Sequence, residues 1–254
     1  MLTILLLKLL LVPALIYAVT LAGRRFGPEV AGWLSAFPIV SGPILLILAL
    51  EQGAPFAQTA AHGTLLAVLA ILVFSVAYAW MATRRGWPDS LFIALCCYAL
   101  TLIALREVQI PLPSALITVI LALLLAPLAF PGVPRWVTQR AAISTKDLPW
   151  RMLAAALLVL AVTFAAARLG PKMSGLLAMF PVMSTVLVGF SHRQSGGEFA
   201  IRMLRGMVYG YFAFAVFCAV LSAALGSVAI WQAFVLAVIC AIAVHAVARR
   251  VMRK

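Results

Sequence analysis

Phe26–Pro43 reads FGPEVAGWLSAFPIVSGP, and Leu169–Thr185 reads LGPKMSGLLAMFPVMST. Both stretches are apolar enough for a membrane helix. Both also carry a mid-helix proline, Pro38 or Pro181, where the ring costs a helix roughly 3 kcal/mol. The two are copies. A shift of 143 residues lays 18–41 over 161–184 without a gap, and twelve of the 24 positions are identical. Ala18, Ala22 and Leu34 are cheap matches in so apolar a chain. The other nine include Arg25, Gly27, Pro28, Gly32, Phe37 and Pro38. The register continues, with Gly53 over Gly196, Phe56 over Phe199, Ala57 over Ala200, Gly63 over Gly206 and Lys8 over Arg151.

The solvent for most of this chain is lipid. Of its 254 residues 66% are hydrophobic and only 10% are charged, with a mean hydropathy of +1.16. A soluble domain carries about 25% charged residues. Windows of about 20 apolar residues mark spanning helices. Nine occur, at roughly 3–22, 29–50, 57–82, 88–105, 112–130, 149–168, 172–191, 198–224 and 229–248. The first window is expected to be retained rather than cleaved as a signal. Its early charge, Lys8, lies inside the apolar run, and its copy at 149–168 cannot be a leader.

Cations set the orientation. The net charge is +13, from 19 Lys and Arg against 6 Asp and Glu. In a soluble protein that balance would point to nucleic acid. Here no basic patch is interleaved with exposed aromatics, so no nucleic-acid partner is expected. Cytoplasmic loops of membrane proteins are enriched in Lys and Arg. With the N-terminus outside, four cations face out (Lys8, Arg106, Arg168 and Lys172) and the remaining 15 of the 19 face in. The expected topology is N-out and C-in. Helices 1–4 are then copied by helices 6–9, with helix 5 between them. One intervening helix forces the two copies into opposite orientations. The expected fold is an all-α integral membrane protein of about nine transmembrane helices. Residues 1–108 form one repeat, 109–143 a linking helix and cytoplasmic loop, and 144–254 an inverted second repeat. Inverted repeats recur in secondary transporters.

Each copy contributes a break. From Glu29 to Pro38 the rise is about 13–14 Å at 1.5 Å per residue, close to the bilayer midplane. Pro181 arrives near that depth from the other side. Each proline should free the carbonyl four residues back, Leu34 or Leu177. Nearby hydroxyls at Ser35, Ser41, Ser184 and Thr185 could satisfy it. The pair reads either as two proline kinks or as a substrate site formed by Ser35, Phe37, Pro38, Ser41, Phe180, Pro181, Ser184 and Thr185. Gly32 and Gly175 would admit a neighbouring backbone.

All six acidic residues lie in loops or at helix ends, so a buried carboxylate for cation coupling is missing from the sequence pattern. This favours an anionic or neutral substrate. Lys8, Arg151, Arg202 and Arg205 lie one or two turns inside their helices, where they either attract anions or snorkel to the headgroups. His62 falls over Arg205 and is a candidate for proton coupling, whereas His192 and His245 read as interfacial. Cys96, Cys97, Cys218 and Cys240 read as reduced packing residues. No metal-ligand spacing, GxSxG elbow, HExxH or phosphate-cradling loop occurs, so neither an enzyme nor a cofactor is expected.

Lys8, the run VAGWLSAFPIVSG at Val30–Gly42 and LEQG at Leu50–Gly53 resemble the GlpM family of small bacterial membrane proteins. MSGLLAMFPVMST at Met173–Thr185 repeats the likeness in the second half. The resemblance covers the chain apart from the fifth helix. It implies a fused, duplicated four-helix unit, and it implies fold more than activity. Glu51 is replaced by Gln194 in the second copy, so a role for that carboxylate need not be shared. The resulting expectation is a multi-pass bacterial inner-membrane secondary transporter or exporter of a small metabolite, with the lipid bilayer as its surroundings and a homodimer allowed. Its rivals are a non-transporting scaffold of an envelope-assembly complex and a lipid flippase with a groove at Arg202 and Arg205.

Overall fold

A computed structural model of the chain describes residues 2–38, 41–132, 147–168 and 180–252, and over these residues it is helical, with no strand. Ten helices follow in order: α1 (Leu2–Phe26), α2 (Pro28–Ser35), α3 (Ser41–Gln52), α4 (Ala54–Ala82), α5 (Trp87–Leu105), α6 (Leu112–Ala129), α7 (Leu148–Arg168), α8 (Val182–Ser195), α9 (Gly197–Ala224) and α10 (Ile230–Met252). Five of them, α4, α5, α6, α9 and α10, are long and apolar enough to cross a membrane.

The expected single helix at 29–50 is two. Pro38 has no N–H to continue the ladder, so α2 stops at Ser35 and α3 starts at Ser41. The expected helix at 172–191 behaves alike on its described side, since α8 begins at Val182, directly after Pro181. The first part of that segment, with Pro171, Gly175 and Leu177, lies outside the described residues. Glycine punctuates the starts. Gly53 precedes α4 at φ 88 and ψ 166, and Gly196 precedes α9 at φ 84 and ψ 170. Such positive φ is open to glycine at no steric cost. Pro28 takes the first turn of α2, where its missing N–H would be unpaired in any case.

Helices α4 and α9 form the centre. Of their spanning windows 61% and 72% are buried, against 22–28% for α5, α6 and α10. The two run antiparallel. Gly197, at the start of α9, packs on the carbonyl of Ala82, at the end of α4, while Ser222 Oγ donates to the Gln58 carbonyl at 3.1 Å at the opposite end. Around them, α5 packs on α4, α10 packs on α9, and α6 touches both central helices. α1 lies against α7, and α2 is wedged between α1 and α9. Exposed Arg84, Arg85 and Arg193 gather at the Ala82–Gly197 end. Among the cysteines, Cys218 is buried inside α9, but Cys96 is exposed on α5 rather than packed, because the lightly buried α5 turns much of its circumference outward.

Candidate functional site

The first break is closed by its own backbone. The Ala36 and Phe37 N–H groups donate to the Gly32 and Leu34 carbonyls, each at 3.3 Å. Leu34 is therefore satisfied by the turn and not by a hydroxyl. Ser35 Oγ bonds to the Gly32 carbonyl at 2.8 Å instead, and Ser41 is the half-buried first residue of α3. Pro38 itself is buried.

Rings surround this break. The indole of Trp33 stacks on the His245 imidazole of α10 at 3.8 Å with 9° between planes, and Phe37 meets the same imidazole at 4.9 Å. The Arg249 guanidinium lies 5.5 Å from the indole. A cleft of about 450 Å³ borders these groups between α2 and α10. His245 is thus buried, because α2 covers its ring face. Its two ring nitrogens and Trp33 Nε1 have no hydrogen-bond partner among the described residues.

The second break is lined by hydroxyls. Phe180 meets the Tyr98 ring of α5 edge-on at 5.9 Å. Val182 N–H donates to the Phe180 carbonyl at 2.7 Å, and Thr185 N–H donates to that of Pro181 at 2.8 Å, starting α8. Ser184 Oγ lies 3.1 Å from the Tyr211 hydroxyl and 3.4 Å from Met207 Sδ. Thr185 Oγ1 is buried without a partner among the described residues. Further along α8, His192 is buried with Nδ1 3.1 Å from the Tyr78 hydroxyl, so it too is inside the bundle.

The two breaks share α9. A Cβ on Gly206 would overlap the Glu29 carbonyl, and one on Gly32 would overlap the Met203 carbonyl, so α2 and α9 touch backbone to backbone. Gly210 receives Trp33 and Ala36 in the same way. Met207 and Tyr211, each one residue further along α9, reach Ser184. One residue is about 100° of turn and about 1.5 Å of rise. The breaks therefore sit at one level on adjacent faces, near the middle of Gly197–Ala224. They do not join into one ring of side chains. The principal contacts of α2 and α3 are with α1, α4, α9 and α10, and those of α8 are with α1, α5, α7 and α9.

The charged candidates separate. Arg151 is fully buried, which excludes snorkelling. Its Nη2 donates to Gln194 Oε1 at 2.6 Å and its Nη1 to Ser191 Oγ at 3.3 Å, with Phe190 beneath the guanidinium at 5.6 Å. Its Nε has no partner among the described residues. Beside this group a cleft of about 700 Å³ opens between α7 and α8 and is bordered by Asp147, Trp150, Phe190, Arg193 and Gln194. Arg205 is turned inward, with Nη2 on the Pro131 carbonyl at 2.7 Å and the guanidinium 5.8 Å from the Phe130 ring. Arg202 is half-buried on α9. His62 is half-buried on α4, and its Nε2 is without a partner among the described residues. Lys8 falls within α1, and its side chain lies outside the described residues.

Comparison of the chain with family models, curated proteins and solved structures found no match in any of the three. The site is therefore read from its own residues. Sequence reasoning did not select Tyr98, Tyr211, Trp33, Ser191 or Gln194, nor His245 as a site residue. Of these only Gln194 carried a signal, through its place over Glu51 in the 143-residue register.

Proposed function

We propose that this chain is a multi-pass bacterial inner-membrane secondary transporter or exporter of a small anionic or neutral metabolite. In this reading it is a fused duplication of a GlpM-like unit, in which 1–108 and 144–254 are inverted repeats and α6 is the helix between them. The observation that carries the proposal is the level of the breaks. Two Phe-Pro steps, matched in sequence, lie at one height halfway along the most buried helix, the first between α2 and α3 and the second directly before α8. Irregular backbone at membrane depth is tolerated where it is buried in protein or borders a cavity, and transporters place their sites at such interrupted helices.

Several further features support the repeat. Gly53 and Gly196, 143 residues apart, adopt nearly the same positive-φ conformation before the two central helices. Contacts come in pairs that an exchange of halves would interconvert: α4 with α5 and α9 with α10, α3 with α4 and α8 with α9, α3 with α10 and α5 with α8. Helix α6 touches both α4 and α9, as an element on a pseudo-two-fold axis must. Each phenylalanine of a break meets a ring from the other half, Phe37 with His245 and Phe180 with Tyr98. The cluster of Arg84, Arg85 and Arg193 at one end favours that end as cytoplasmic.

The test begins with metabolite profiling of cells that overproduce or lack the protein, to find the exported compound. Flux of that compound is then measured for Pro38→Ala combined with Pro181→Ala. The expected result is loss of flux with unchanged membrane insertion. Full flux in the double variant removes the breaks from the mechanism, and no compound moved by the wild type removes the transporter. The flippase alternative draws less support from Arg205, whose guanidinium is engaged by Pro131 and Phe130.

A further inference from the structure

Arg151 is the largest fully buried side chain among the described residues. Its hydrogen-bond partners are neutral: an amide oxygen at 2.6 Å and a hydroxyl at 3.3 Å. Asp147 borders the cleft beside it, but no carboxylate is a hydrogen-bond or ion-pair partner of the guanidinium among the described residues. Buried cations are ordinarily paired with an anion, because the loss of water is otherwise uncompensated. The 143-residue register shows what is missing. It sets Arg151 over Lys8 and Gln194 over Glu51, so the first half has a carboxylate in its sequence where the second half has an amide. The second half thus has a cation at the matched position and a neutral amide where the first half has a carboxylate.

We propose that Arg151 binds an oxyanion, a carboxylate or phosphate group that enters by the cleft between α7 and α8 and takes the place of Gln194 Oε1 on the guanidinium. Gln194 borders that cleft and also holds Nη2, so its side chain is the gate between the ligand and Arg151. Ser191 Oγ keeps Nη1 oriented, and Arg193 at the cleft adds a second positive charge that attracts the anion. Asp147 at the same cleft opposes it, which disfavours multiply charged anions. The apolar wall of Trp150, Leu153 and Leu157 suits a ligand with a hydrocarbon part next to its oxyanion. A guanidinium binds a planar oxyanion through two parallel N–H donors, and those bonds are charge-assisted.

This deepens the transporter reading by naming its substrate class, while the assay measures binding alone. Full-length protein in detergent is titrated by calorimetry and thermal shift at constant ionic strength with inorganic phosphate, with benzoate, and with phosphatidylglycerol in mixed micelles. The two Gln194 variants should move in opposite directions. Gln194→Glu supplies the missing carboxylate from within the chain and should raise the midpoint of unfolding while weakening the oxyanion by ~10-fold or more, the usual worth of a hydrogen bond to a charged group. Gln194→Ala opens the gate and should bind at least as tightly as the wild type. Response to phosphate or benzoate makes the ligand a free anion, and response to phosphatidylglycerol alone makes it a lipid headgroup. Absence of any response, or equal responses in wild type and Gln194→Glu, overturns the proposal. Oxyanion binding without flux in proteoliposomes would retain this site and remove the transporter. Flux of a neutral compound with no oxyanion binding would do the reverse.

Discussion

The two Phe-Pro segments share a motif and a level along α9 but not a chemistry. Around Phe37 and Pro38 the neighbours are rings, with Trp33, Phe37 and His245 packed face to face or tilted and Arg249 above the indole. Around Phe180 and Pro181 they are hydroxyls, with Ser184 and Thr185 in the first turn of α8, Tyr211 reaching Ser184 from α9 and Tyr98 closing the edge. The Phe-Pro step coincides with the gap between α2 and α3 and with the start of α8, although proline alone does not end a helix, since Pro13 and Pro127 stand inside α1 and α6. It does not dictate what fills the space so created. That is set by residues from distant helices. The two matched stretches thus place the same Phe-Pro step in one aromatic and one hydroxylated environment. A similar difference separates Lys8 and Glu51 from Arg151 and Gln194.

The comparison is broken most directly at the glycines, where the largest effect is expected. Gly206 has the Glu29 backbone against it, so Gly206→Ala must push α2 off α9 and should cost about 1–3 kcal/mol, the usual range for overpacking. The measurement is the thermal midpoint of the purified protein in detergent. Gly63, its partner in the 143-residue register, has nothing within 4 Å among the described residues. An inverted repeat would set Gly63 against the backbone near Lys172, outside those residues. Gly63→Ala should then be destabilising to a similar degree. A neutral or stabilised Gly63→Ala, the normal outcome for a free helical glycine worth about 0.5–1 kcal/mol, would show that the halves match in sequence and not in packing.

The parts of this fold that were legible in the sequence are those set by local chemistry. Apolar windows located most of the described helices, Gly-Pro located the start of α2, and Phe-Pro the gap after it and the start of α8. Gly32 was read as a point of backbone approach and is one. The division of the second window into α2 and α3 was implicit in Pro38, although which group would satisfy Leu34 was not. The choice between a hydroxyl and the Phe37 N–H depends on turn geometry that composition does not encode. Arg151 was visible only as a cation near a helix start. Whether it snorkels depends on α8, which brings Ser191 and Gln194 from 40 or more residues away. The partners of His192 and His245 were hidden for the same reason, since Tyr78 and Trp33 arrive from other segments.

Smaller effects sharpen the contrast between the two environments. His245→Leu removes the stack on Trp33 but keeps apolar volume, so it should cost about 0.5–1.5 kcal/mol, the range for an aromatic pair beyond its area. Because the partner is an indole, the same variant should alter tryptophan emission, and unchanged emission with an unchanged midpoint would mean that the stack does not persist in the folded protein.

Tyr211→Phe tests the hydroxyl side. It deletes one oxygen, leaves the ring in place, and removes the Tyr211 partner of Ser184 Oγ at 3.1 Å. Hydrogen bonds between helices within a membrane average about 0.6 kcal/mol, so the fall in thermal midpoint should be the smallest of the series. The informative comparison is with the double variant Tyr211→Phe and Ser184→Ala. If the two hydroxyls serve only each other, removing both costs little more than removing one, since neither is then left unpaired in an apolar interior. If they also face a bound polar ligand, the double variant should weaken that ligand's binding beyond either single change, while the midpoint of the ligand-free protein stays close to that of Tyr211→Phe. Coupling confined to the ligand-free protein would make the hydroxylated break a structural closure, equivalent in role to the aromatic packing at the first.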